Sequence, residues 1–387
     1  MELTTHLSSP PIFRKWAALS AIAGALERKV WVRTMGSNLY PNMYVVLVAP
    51  PGVGKTEVTW RVRSLLKDLD THHVASSSVT KASMMDELAE AVRRFLTAEG
   101  GVLSFNSLSL VVNELGVLLP GYDTEFMNAL TDLWDCKDYS EKRRHSQNKE
   151  PIDIKHTQLN MLAACTPSYL QETLPTGAWD QGFISRTMLI YSGDRQLRSL
   201  FEESHVNEDI LEQSKDMITH IAGLYGELKF TKESAELIDQ FHLSGGEPAP
   251  DHPKLVSYKI RRTVHLLKLC QLCSISRSDD LVIEKQDFQR ASDFLFEAEA
   301  HMPEIFKAMS QGGTGKVMEE TWHYVFTTYS KEQKPVMEHR LIQYLQERVP
   351  VHNIKQVIEM MEQGKMIEKR LMKGGSAYVP KARRALH

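Results

Sequence analysis

The stretch from Asn42 to Arg61, NMYVVLVAPPGVGKTEVTWR, constrains this chain more than any other. Met43 to Val48 is an apolar, β-branched run with the length of a buried strand. A Pro- and Gly-rich turn follows, then Lys55 and Thr56, then Val58, Trp60, Leu65 and Leu66 in a helical pattern. Strand, glycine-rich turn, Lys-Thr and helix together are the context in which a phosphate-binding loop has meaning. Gly52 and Gly54 let backbone N–H groups turn inward around a phosphate, at the positive end of the new helix. Pro51, Gly52, Val53, Gly54, Lys55 and Thr56 are therefore the expected cradle. Lys55 is expected to reach the β- and γ-phosphates and the Thr56 hydroxyl to ligate Mg²⁺. Ala49 stands where the usual pattern has its first glycine, which a negative φ accommodates. The expectation is a bound nucleoside triphosphate.

Composition narrows the setting. With 387 residues the chain has room for two or three domains, and 42% hydrophobic with 25% charged residues is ordinary for a folded soluble protein. The net charge of −3 means that any contact with nucleic acid comes from local patches and not from a global field. No apolar run approaches the roughly 18 residues of a membrane span. The opening MELTTHLSSPP has neither a basic n-region nor an apolar h-region, so a secretory signal is not expected. Cys136, Cys165, Cys270 and Cys273 suit a reducing compartment. Cys270 and Cys273 form C-x-x-C inside a helical pattern without a second pair, which favours buried small residues over a zinc site.

Along the chain, 11–28 reads as an Ala-rich helix, VWVRTM as a strand, 73–80 as a second strand and 81–97 as a helix. Residues 108–119, LSLVVNELGVLL, read as an apolar strand ending in two polar residues. A carboxylate in that position polarises a water beside the γ-phosphate, and Glu114 fits the role. Asn113 precedes it, where a carboxylate that orients the magnesium shell is usual; an amide accepts a hydrogen bond but brings no charge. A helix between Asp123 and Trp134 leads to a polar segment, 137–158, holding Lys142, Arg143 and Arg144. It reads either as a hairpin with basic residues at its tip, able to touch phosphates, or as a solvated loop. LNMLAA (159–164) is a further buried strand ending in Cys165-Thr166-Pro167, and GFISRTMLIYSG places Arg186 just before a last one. Successive strands with intervening helices predict a parallel α/β sheet.

From about Arg195 to Met309 helical patterns dominate, and SQGGTGK (310–316) reads as a linker. The last seventy or so residues suggest helices at 317–330, 336–348 and 351–363, with Gly364 capping the third, then two short strands around Lys373-Gly374-Gly375. Three helices and a hairpin form a winged-helix pattern. From Lys365 onward there are seven Lys/Arg against Glu368 alone, so Lys369, Arg370 and Lys373 are candidate DNA contacts. A protein-docking winged helix is the competing reading.

These residues resemble the AAA+ ATPases, within them the hexameric helicase branch: primase-associated ATPases of phages and plasmids and, in part, the minichromosome-maintenance helicases. The resemblance covers roughly residues 10–300. Ala163 to Pro167 is similar to the sensor-1 strand end, with Thr166 in the usual Asn place. Phe183 to Arg186 resembles the arginine-finger segment, whose arginine enters a neighbour's ATP site. Arg261 before Leu266-Leu267-Lys268-Leu269 resembles the sensor-2 helix, with Arg262 its rival. Segment 137–158 falls where these helicases carry a pore hairpin that grips DNA. The resemblance implies a P-loop AAA+ core at 1–196, an all-α lid at 197–309, the linker at 310–316 and the winged helix at 317–387.

The function so implied is an ATP-dependent DNA helicase or translocase working as a homo-hexameric ring in replication. It would use ATP and Mg²⁺, hold single-stranded DNA in its pore and act with a primase or another replisome protein. The expected setting is the cytoplasm, that of the bacterial host for a phage protein. A replication initiator or helicase loader that uses ATP as an assembly switch is the alternative. A protein-remodelling machine is disfavoured because no aromatic-glycine pore loop is evident.

Overall fold

In the computed structural model the apolar run Tyr44–Val48 forms a strand buried on both faces. It sits inside a five-stranded sheet whose other strands come from four separate parts of the chain. The described residues are all but 1, 35, 98–99, 120, 122, 142–151, 175–177, 180–181, 198–207, 313, 350, 373–374 and 382–387. They divide into two units, 1–305 and 306–387.

The first unit begins with α1 (Pro11–Leu26), β1 (Val30–Thr34), β2 (Ser37–Leu39), β3 (Tyr44–Val48) and α2 (Lys55–Lys67). It continues with α3 (Lys81–Glu90), β4 (Val92–Leu96), β5 (Val102–Val112), α4 (Leu115–Leu118) and α5 (Thr124–Trp134). A short antiparallel pair, β6 (Tyr139–Glu141) and β7 (Ile152–Ile154), precedes β8 (Thr157–Cys165), α6 (Pro167–Thr173), α7 (Gly182–Ser185) and β9 (Thr187–Tyr191). The main sheet has the order β4-β5-β8-β3-β9. Its pairings β5·β8, β8·β3 and β3·β9 are parallel, whereas β4 at the edge is antiparallel. Every residue of β3, β8 and β9 is buried, as expected for parallel strands covered on both faces. The buried Asn160 of β8 is matched on both sides: it accepts from the Met43 N–H at 3.0 Å and donates to the Ala23 carbonyl at 3.1 Å.

The remainder of this unit is α8 (Glu208–Gly223), β10 (Gly226–Phe230), α9 (Lys232–Leu243), α10 (Val256–Ile275), β11 (Val282–Ile283) and α11 (Lys285–Gly312), the unit boundary falling within α11. The expectation of an all-α segment at 197–309 is corrected here. β10 and β11 join β1 and β2 in a second sheet, order β11-β10-β1-β2, with β10 parallel to β1. Both strands are too short for a period-2 pattern to stand out from their helical surroundings. Both sheets belong to the unit 1–305.

Two further expectations change. The helix expected over 81–97 ends at Glu90, and Val92–Leu96 is a strand. There Arg93 turns inward to Glu27 (2.9 Å), and the Phe95 ring stacks on Tyr225 at 5.5 Å. Spacing at 88, 91 and 95 mimics helical periodicity across that break. The strand expected over 73–80 contributes only an isolated bridge, Val74 to Ser109.

The second unit holds α12 (Thr314–Glu332), β12 (Val336–Met337), α13 (Glu338–Gln346), α14 (Val351–Gln363), β13 (Ile367–Met372) and β14 (Gly375–Pro380). Helices α11 and α12 occupy most of the stretch 310–316 expected as a linker. β13 and β14 form an antiparallel hairpin, with β12 pairing on the other side of β14. Leu341, Leu345, Val357, Met361, Ile367 and Tyr378 are core residues of this unit. The residue with left-handed backbone after α14 is Lys365 (φ 54°), not the Gly364 expected as its cap.

Candidate functional site

Because β5, β8, β3 and β9 run parallel, their carboxyl ends lie along one edge of the sheet. Open α/β sheets bind ligands at such an edge. Register fixes the neighbours: Val48 is level with Cys165 and Tyr191, and Val112 with Ala163. The Ala49 N–H still donates to the Cys165 carbonyl at 3.2 Å, after which Pro50 and Pro51 turn the chain out of the sheet.

Gly52 and Gly54 both have φ of 79°, a left-handed conformation that costs an L-residue strain. Gly54 is also the N-cap of α2 and supplies no side chain to it, so the helix's first N–H groups are not side-chain capped. A Cβ at Gly54 would lie 3.0 Å from the Ser9 Cα, whereas one at Gly52 would meet open space. The N-terminal segment is thus pressed against the turn, and the Ser8 N–H donates to Glu57 Oε2 at 3.2 Å. Together they border a cleft of about 400 Å³ lined by Gly52 to Glu57, Ser8 and Arg195. That volume lies within the range of small-ligand pockets. Within the expected cradle, Val53 is buried and Pro51 is exposed without lining the cleft.

Lys55 is only 8% exposed. Its Nζ donates back to the Ala49 carbonyl at 2.7 Å and the Pro50 carbonyl at 3.0 Å. Burial lowers its pKa, opposed by the nearby Cys165 and Glu114. The ammonium is therefore held by neutral acceptors that an incoming oxyanion can outbid. Thr56 lies exposed on the cleft wall.

Glu114 follows β5 and precedes α4. Burial raises its pKa, and the Lys55 charge works against that rise. Glu114 and Lys55 thus feel one another across the edge of β8, which lies between their strands. Asn113 does not project as a free ligand: its Oδ1 accepts the Thr59 hydroxyl at 2.7 Å, tying the end of β5 to α2. Thr166 caps α6 by accepting from the Tyr169 N–H at 3.3 Å and does not line the cleft. Among the described residues no group of three His, Cys, Asp or Glu is arranged to hold a metal on its own. A Mg²⁺ carried largely by phosphate oxygens with one hydroxyl ligand needs no such group.

The arginines separate clearly. Arg262 is buried and bonds Glu299 through Nε and Nη2, each at 2.7 Å. Arg261 lies instead over the Trp134 ring at 5.5 Å, and burial followed by the Arg186 charge lowers its pKa. Arg186 packs on the same ring at 5.5 Å. Its Nη2 pairs with Asp135 Oδ2 at 3.1 Å and its Nη1 donates to the Gly182 carbonyl at 3.2 Å. The buried Lys268 is over the same indole at 4.3 Å and bonds Asn42 and the Tyr40 carbonyl. Arg186 and Arg261 thus share one locus, Trp134 with Asp135, and neither lines the 400 Å³ cleft.

Of the expected DNA contacts, Lys142, Arg143, Arg144 and Lys373 lie outside the described residues. β6 and β7 flank the first three as an antiparallel pair, Glu141 opposite Ile152. Lys369 and Arg370 are exposed on β13, and Arg370 Nε is 3.7 Å from Glu368.

Sequence reasoning missed Arg195, Ser8 and Asp135. Arg195 had a signal: it follows β9, the strand beside β3, by four residues and therefore emerges at the same sheet edge. Ser8 and Asp135 had none, because their roles come from tertiary packing. A scan of protein-family models finds no match to this chain, and a search of curated proteins finds none either.

Proposed function

We propose that this chain is an ATPase of the AAA+ type that works as a ring-shaped DNA helicase or translocase. The observation that carries the reading is the union of Lys55 and Thr56 with a left-handed Gly54 at an uncapped helix start, opening on a 400 Å³ cleft. Glu114, a carboxylate with a raised pKa in the field of Lys55, stands at the end of a strand of the same sheet.

The roles follow from these contacts. Lys55 leaves the Ala49 and Pro50 carbonyls for the oxygens of a triphosphate, so its charge is exchanged between partners and is not exposed to bulk water. Backbone N–H groups at the start of α2 donate to the remaining phosphate oxygens. The Thr56 hydroxyl would hold a Mg²⁺ bound with the nucleotide, which would supply further charge neutralisation. Glu114 takes the proton of the attacking water, and its raised pKa makes it a better base than an exposed carboxylate. Arg195, which lines the same cleft, adds a cation within the same subunit. Arg186 and Arg261 are reserved for the neighbouring subunit's nucleotide. For Arg186 to reach it, the pair with Asp135 must open when rings assemble, so assembly and hydrolysis are coupled. The basic segment around Lys142 to Arg144 contacts single-stranded DNA.

Hydrolysis measured with and without single-stranded DNA, alongside displacement of a strand from forked duplex, tests this. DNA-stimulated hydrolysis and displacement, both lost in Lys55→Ala, are expected. Hydrolysis without displacement would leave the ATPase and remove the helicase; no ATP binding at all would remove both.

A further inference from the structure

We infer that the second unit carries a docking groove for a basic amphipathic helix of a partner protein. An open groove of about 470 Å³ lies between α13, α14 and the β13–β14 hairpin. Its floor is apolar, formed by Ile354, Ile358 and the ring of Tyr378, all buried beneath the opening. Its walls are acidic, with Glu338 on α13 and Glu359 and Glu362 on α14. Glu338 accepts the Tyr378 hydroxyl at 3.3 Å, which fixes that carboxylate at the floor's edge. Two lysines border the same groove, Lys355 and Lys369, and Lys355 is directed at Glu359, 4.0 Å away.

Charge decides the occupant. A polyanion entering this groove would set its phosphates against three carboxylates, offset only by Lys369 and by Lys355, which is already directed at Glu359. The hairpin is less basic than its sequence suggests, because Arg370 and Lys381 both lie within 4 Å of Glu368, at 3.7 and 3.3 Å. Toward the turn of that hairpin, Leu371 is 86% exposed and Met372 half exposed, so exposed apolar groups accompany the cations among its described residues. A helix with an apolar stripe and flanking Lys/Arg answers the floor and the carboxylates: the stripe covers Ile354 and Ile358, and the cations meet Glu359 and Glu362. The groove lies wholly within 338–378, and nucleotide chemistry plays no part in it.

The test uses the full chain and fluorescence anisotropy. The probe is a synthetic Leu/Lys amphipathic helix of about five turns, compared with a Leu/Glu twin and with duplex DNA. Preference for the Leu/Lys helix by about tenfold or more, weakening with salt, is expected. Glu359→Lys with Glu362→Lys should weaken it about tenfold. Lys355→Ala, which frees Glu359, should tighten it, and both changes fall on the open groove wall. Slowed hydrogen exchange over α13 and α14 on peptide addition locates the contact. Equal binding of the two peptides, or affinity indifferent to these substitutions, overturns the proposal. So does duplex DNA that binds the full chain, is weakened by Lys369→Ala and displaces the peptide.

Discussion

Arg186 Nη2 lies 3.1 Å from Asp135 Oδ2, so a guanidinium expected to serve a neighbouring subunit is held by a carboxylate of its own chain. The arginine is 8% exposed, while the Asp135 side chain is 34% exposed. The pair therefore sits at a surface with its anionic half outward. In the proposed ring, a phosphate arriving from another subunit would compete with Asp135 for the same nitrogen.

That competition predicts two outcomes of opposite sign. Arg186→Ala should bind ATP normally yet hydrolyse about 10³–10⁵-fold more slowly, because the developing charge lacks its cation. Asp135→Asn should loosen the hold and raise hydrolysis about two- to fivefold at limiting protein concentration, the scale of a partly exposed ion pair. Mixing Arg186→Ala with Lys55→Ala protein should restore activity at interfaces that join an intact turn to an intact arginine. A mixture as inactive as its parts, together with an unresponsive Asp135→Asn, would make the pair purely structural.

On the proposed reading, Lys55 and Glu114 should separate binding from turnover. Lys55→Ala removes the one ammonium that can leave the Ala49 and Pro50 carbonyls for phosphate, so calorimetric titration with Mg²⁺-ATP should show affinity falling by at least about tenfold. Glu114→Gln keeps the shape and removes the base, so ATP should bind with undiminished affinity and turnover should fall about 10²–10⁴-fold. Wild-type turnover in the glutamine variant would assign the proton to another group.

Much of the site was legible in the sequence because it is local. The turn from Ala49 to Thr56 is contiguous, and its proposed chemistry follows from glycine, lysine and threonine at fixed offsets. Glu114 was legible from its place at a strand end. The partner of Arg186 was not: Asp135 is 51 residues away and meets it only through the packing of α5 on α7. The same holds for the choice between Arg261 and Arg262, adjacent residues that a helix turns to different surroundings. Arg262 meets Glu299 from α11, whereas Arg261 meets Trp134 from α5. The second sheet was hidden for a different reason. β10 pairs with β1 almost two hundred residues earlier, and neither its five residues nor the two of β11 carry a pattern of their own.

Gly52 and Gly54 share a φ of 79° but differ in their surroundings, which gives a paired test. Gly52→Ala adds a Cβ to open space and incurs only backbone strain, about 1–2 kcal/mol. Gly54→Ala incurs the same strain and also sets a Cβ 3.0 Å from the Ser9 backbone, which cannot rotate away as a side chain can. Thermal melts should show the Gly54 variant losing more stability, and a fluorescent ATP analogue should show it losing more affinity. Restoration of the Gly54 variant by deleting residues 1–9 would identify Ser9 as the obstacle. Equal losses at the two positions would mean the contact carries no energy.

Acid should destabilise the first unit through two buried histidines. Burial pushes the pKa of His265 down to about 4, and that of His72 likewise down to about 4. His265 stacks on Tyr258 at 5.5 Å, and its Nε2 is 3.0 Å from the Ser185 carbonyl. His72 Nε2 lies 3.0 Å from the Ala25 carbonyl. In the unfolded chain both titrate near 6.5. Above that value neither state holds the extra proton, and the stabilising difference is fully present. Between about 6.5 and 4 the unfolded state binds protons that the folded state refuses, so stability falls as pH falls. Below about 4 the folded state takes them up as well and the loss levels off. Between pH 7 and pH 4.5 the linkage amounts to roughly 2–3 kcal/mol per histidine. Urea titrations at the two pH values measure it. His265→Gln retains a donor for the Ser185 carbonyl but does not titrate, so its stability should be lower at pH 7 for want of the stacked ring and yet fall less on acidification. A variant whose pH slope matched that of the unmodified chain would remove His265 as a source of acid sensitivity, leaving His72 to be tested by the same substitution.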